Sequence, residues 1–117
     1  MALATKQSIA SSKDWEFTDI EVPKWGTVRI RSLSAKERLD LVEQVQGRDL
    51  TNEEAMGFYA GLIAMAMIDE AGDPVWTMPD DMEVLQQRDW SKLEQVGKEI
   101  MSFNGMDADT NEEIAKN

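Results

Sequence analysis

The chain contains no cysteine and no histidine. The first absence excludes disulfides, thiolate metal sites and cysteine nucleophiles, and it suits a reducing compartment. The second removes the commonest general base, the commonest transition-metal ligand and every histidine-containing triad. Catalysis would have to rest on carboxylates, lysines or the single tyrosine, Tyr59. No carboxylate pair is spaced for it: Asp80 and Asp81 point in different directions on a helix, and Asp69 and Asp73 flank a turn. The three acids around Gly72 also lack the spacing of a calcium loop. We expect no enzyme, no cofactor and no metal.

Positive charge is scarce. Twelve Lys and Arg stand against 23 Asp and Glu, leaving a net charge of -11. Nucleic-acid binding needs clustered bases, so it is not expected. Between Arg48 and Arg88 there is no base, yet Asp49, Glu53, Glu54, Asp69, Glu70, Asp73, Asp80, Asp81 and Glu83 all fall there. Such a surface either keeps the protein soluble or steers it towards a basic partner. Long apolar runs are missing too. The longest uncharged stretch, AMGFYAGLIAMAMI at 55–68, has 14 residues and acids close to both ends. A bilayer span needs about 20, so no membrane segment is expected. Residues 1–13, MALATKQSIASSK, lack the apolar region of a signal peptide.

What is present is a globular composition, 42% hydrophobic and 30% charged in 117 residues. That length makes one domain with one core. We expect a flexible arm over 1–13, a single globular domain over 14–106 and a flexible acidic tail over 107–117. The 55–68 stretch has apolar residues on every side of a helical wheel, the pattern of a helix buried on most of its surface. Gly57 and Gly61 within it form a GxxxG, a spacing informative mainly in membranes and here read as ordinary close packing.

Upstream, alternation over 15–22 and 27–31 around ProLysTrpGly at 23–26 predicts a β-hairpin. Its first arm is acidic and its second carries Arg29 and Arg31, so the charges either pair across the strands or form a basic stripe for an acidic partner. Ser34-Ala35-Lys36-Glu37, Thr51-Asn52-Glu53-Glu54 and Ser91-Lys92-Leu93-Glu94 each read as a capping box opening a helix. The first buries Leu39, Leu41, Val42 and Val45, the second runs to about Ile68, and the third buries Leu93, Val96, Ile100 and Met101. A further helix is predicted to start at Pro79, with Met82 and Leu85 facing inward. The fold class expected is α+β, mainly helical, with an N-terminal hairpin packed on about four helices.

Eight Met and four Trp are many for this length. Met56, Met65, Met67 and Met101 lie on apolar faces as core fillers, whereas Met78, Met82 and Met106 sit near element ends, where thioethers grip variable partners. Trp25 at the hairpin tip and Trp76 beside a loop are either interface anchors or core residues. The candidate partner-binding set is Trp25, Arg29, Arg31, Trp76, Met78, Met82 and Met106.

Three segments in order, VPKWGTVRIRSLSAKER at 22–38, LIAMAMIDEAGDPVWTMPD at 62–80 and FNGMD at 103–107 with an acidic end, resemble the tail assembly chaperones of long-tailed, siphovirus-type bacteriophages. The resemblance covers roughly residues 15–117. It implies a small, mainly helical, non-catalytic protein of the host cytoplasm, absent from the finished virion. Such a protein binds the tape measure protein, keeps it soluble and brings tail tube protein to it; self-association is a further expectation. The competing class is a structural adapter or completion protein retained in the tail. Members of this family are often made in two lengths by ribosomal frameshifting, and Ala115-Lys116-Asn117 can be encoded with the slippery run A-AAA-AAC. A gene without such a repeat near this end would remove that expectation.

Overall fold

The computed structural model describes residues 2–106. The elements in chain order are α1 (Lys6–Ala10), β1 (Phe17–Val22), β2 (Gly26–Arg31), α2 (Ala35–Val45), α3 (Asn52–Ala66), β3 (Met67–Ile68), α4 (Met82–Gln86) and α5 (Trp90–Phe103). The α+β, mainly helical class is what the sequence predicts. The acidic tail and the frameshift signal at 115–117 lie outside the described residues. Within the expected arm, α1 is one short helix with a Thr5–Ser8 capping box and no buried residue.

The hairpin forms where alternation places it. β1 and β2 pair antiparallel, with Phe17 opposite Arg31 and Val22 opposite Gly26. The connection is three residues long. Trp25 N–H donates to the Val22 carbonyl at 3.0 Å, closing a turn with Pro23 in second place and Lys24 in third at φ 72°. Pro is preset for that second place, while a positive φ in the third normally selects Gly. Val28 and Ile30 point inward and are buried.

The apolar helix stops two residues earlier than its composition predicts. α3 ends at Ala66, and Met67 and Ile68 become β3, pairing antiparallel with Ile30 and Arg29 respectively. The sheet therefore has three strands, in the order β1-β2-β3. An all-apolar run cannot distinguish a buried helix from a buried strand, so the boundary was decided by the neighbouring β2, together with the returning chain, where Val75 N–H donates to the Met67 carbonyl at 3.2 Å and Pro74 bridges to Ile68. The turn after β3 is tied by Asp69, whose Oδ1 accepts from Ala71 N–H at 2.9 Å and Asp73 N–H at 3.0 Å.

Two further helix starts differ from expectation. α4 begins at Met82, not Pro79, because the Asp81 carboxylate turns back to accept Thr77 N–H at 2.7 Å and closes a turn over 78–81. The Met78–Pro79 peptide in that turn is cis. α5 begins at Trp90, since Asp89 takes the capping position and accepts from Ser91 N–H at 2.8 Å. Ser91 thus lies inside the first turn. Leu39 is also a correction: it is 57% exposed while Leu41 is buried. Two helical positions are about 200° apart, so both cannot face the core.

The core is built on α3. No residue from 55 to 68 is fully exposed, and Ala60, Leu62, Ile63 and Ala66 are completely buried. α3 packs on α5 through Leu93, Val96 and Ile100, and on α4 through Leu85. Complete burial of each large aliphatic side chain contributes about 1.5–3 kcal/mol. Asn104 links the end of α5 to the segment after β2: its Oδ1 accepts Leu33 N–H and its Nδ2 donates to the Ile100 carbonyl, both at 2.8 Å.

Candidate interaction surfaces

The seven predicted contact residues are held by different elements. Arg29 donates two hydrogen bonds to Asp19, at 2.8 and 3.0 Å, and lies 4.3 Å over the centre of the Phe17 ring. This is the cross-strand pairing. Arg31 turns to the helices, donating to both oxygens of Glu37 and to the Met65 carbonyl at 2.8 Å. The Arg31 hydrogen bonds hold the Glu37 carboxyl below the usual glutamate range, with burial opposing. Trp25, Trp76, Met78 and Met82 are partly buried against the core, and Met106 is 1% exposed. Trp76 Nε1–H donates to Met67 Sδ at 3.1 Å.

Among the described residues, the large apolar side chains that do face solvent are others: Leu3, Ile9, Phe17, Leu39, Val75, Val84 and Trp90. Trp90 caps the α3–α5 seam, its ring edge-on to Tyr59 at 5.9 Å. Among the described residues no group of acids is arranged to hold a metal, and no helix is long and apolar enough to cross a membrane.

The sequence reading missed one concavity. α2 ends at Val45, Gly47 turns the chain at φ 67°, and Thr51 caps α3. This tight corner leaves an open cleft of about 250 Å³ between the end of α2 and the start of α3. Val45, Leu50, Gly57 and Phe58 form its apolar lining, with Gln44, Arg48 and Glu54 at its rim. Arg48 is ion-paired with Glu54. The Glu54 carboxyl, which also accepts Thr51 N–H, is held below its ordinary range chiefly by that capping bond. Apolar residues on both sides of the Gly47 break were the only advance signal.

The arrangement of a small antiparallel sheet, the buried α3 and the packed α5 has a known counterpart. In fold, the chain is similar to the bacteriophage HK97 tail assembly chaperone. The likeness covers 82% of this chain and 94% of that one, with a TM-score of 0.59 and 18% identity. No family model matches the chain, and no curated protein does. At that identity the fold of the HK97 chaperone is shared while most side chains differ, so its surfaces do not transfer residue by residue.

Proposed function

We propose that this chain is a bacteriophage tail assembly chaperone: it binds the tape measure protein, keeps it soluble and recruits tail tube subunits in the host cytoplasm. The observation that carries the reading is the fold shared with the HK97 tail assembly chaperone over 94% of that chain. The sequence cues that resemble the same family support it independently. An acidic domain without His or Cys, and with eight Met, has the chemistry of a binding protein and not of a catalyst. Departure before the particle is complete follows from that role.

The test is co-expression with the tape measure protein of the same genome, followed by tagged capture and sizing. The tape measure protein should move from the insoluble to the soluble fraction and elute with this chain. If it stays insoluble and nothing is captured, the chaperone role is refuted. Mass spectrometry of purified particles should find the chain missing; a fixed copy number would make it a retained adapter.

A further inference from the structure

We infer that the cleft between α2 and α3 receives a large apolar side chain from a basic amphipathic helix of the client protein. The inference rests on the chaperone reading and adds where and how the client is held. At about 250 Å³ the cleft is smaller than the roughly 300–1,000 Å³ of small-molecule sites. It suits one or two side chains, the anchors that dominate helix-in-groove recognition.

Charge specifies the rest of the occupant. Residues 43–54 carry four acids, Glu43, Asp49, Glu53 and Glu54, and one base, Arg48, a balance of -3. All five are exposed, and the one base is already committed to Glu54. Glu43, Asp49 and Glu53 are chain neighbours of the lining residues Gln44, Arg48, Leu50 and Glu54, so a helix with Lys or Arg beside its apolar stripe meets the surface around the cleft favourably; a second copy of a chain at -11 does not.

Gly57 sets the shape of the floor. A helical glycine leaves backbone bare where another residue would place a Cβ. Nothing among the described residues fills that space: a Cβ at Gly57 would meet no atom within 4 Å, and the same holds at Gly61, so neither marks the close packing expected of the GxxxG, and of the two Gly57 alone lines the cleft. The open side of α3 at this glycine is the floor of the cleft, where an incoming side chain would lie against backbone.

The probe is a fluorescent helical peptide of about 18 residues with Leu on one face and Lys on the other, and a twin with Glu in place of Lys. The full chain should bind the Lys peptide at least about tenfold more tightly than the twin. Gly57→Leu, which fills the floor and leaves every charge in place, should weaken that binding by about tenfold or more without lowering the unfolding midpoint. Should Gly57→Leu not fold, the double variant Asp49→Lys with Glu53→Lys, next in sequence to the lining residues Arg48, Leu50 and Glu54, carries the same decision with the same expected loss. Undiminished binding by the deciding variant, equal binding of the twin, or no binding by wild type overturns the inference. So does a wild-type oligomer that Gly57→Leu dissolves, since a second copy would then be the occupant. Co-expression separates this from the chaperone reading: Gly57→Leu that still solubilises the tape measure protein refutes the cleft and leaves the chaperone. Peptide binding with an insoluble tape measure protein refutes the chaperone and leaves the cleft as a peptide site.

Discussion

Gly97→Ala should destabilise the protein, although alanine is the better helix former. The exchange improves helix propensity by about 0.8–1.0 kcal/mol at an interior position. At position 97 that gain is overridden. A Cβ there would stand 2.3 Å from Tyr59 Cδ1 and 3.1 Å from its Cγ, atoms at the root of the ring. The ring cannot step aside freely, because Phe58 lies 6.0 Å and Trp90 5.9 Å away between centroids. Overpacking of this kind costs about 1–3 kcal/mol, leaving a net loss of up to about 2 kcal/mol. Gly61→Ala is the internal control, since a Cβ there meets nothing within 4 Å; it should gain close to the full propensity term. Urea and thermal unfolding of both variants, with near-ultraviolet circular dichroism for the Trp90–Tyr59 seam, make the comparison. A loss of 1 kcal/mol corresponds to roughly 3–5 °C in Tm for a chain of this size. A Gly97→Ala protein as stable as Gly61→Ala would refute the tight α3–α5 approach.

Ala60→Asp should abolish folding, because Ala60 is completely buried and an unpaired carboxylate there costs several kcal/mol, comparable with total stability; a cooperative melt near wild type would contradict the central placement of α3. Asn104→Ala should cost about 1–3 kcal/mol in urea unfolding by leaving the Leu33 N–H without its acceptor, and an unchanged midpoint would mean that water replaces it. Glu37 titrates lower in the folded state, so its contribution is present above the ordinary glutamate pKa and is lost as pH falls through the depressed folded value. Glu37→Gln should therefore be less stable than wild type at neutral pH, with the gap closing in acid; a gap independent of pH would remove the Arg31–Glu37 bond as its cause.

Local chemistry was legible along the chain. The hairpin, the capping boxes at Ser34 and Thr51, and the burial of residues 55–68 follow from alternation, side-chain caps and the absence of charge, which act over a few residues. The acid-rich span and the lack of His and Cys bounded the functional class in the same way. The tertiary structure decided what depends on a distant partner. Met67 and Ile68 became a strand because β2 offered them hydrogen bonds, not because their sequence differs from the helix before them. Arg31 left the surface because Glu37 and the Met65 carbonyl converge on it, and Met106 entered the core although it lies beside an acidic stretch. The cleft is likewise a product of packing: Val45, Leu50 and Phe58 are ordinary apolar residues until the Gly47 corner sets them around the open floor at Gly57. Spacing along a chain encodes periodicity and caps, whereas a concave surface exists only once two helices have taken their places.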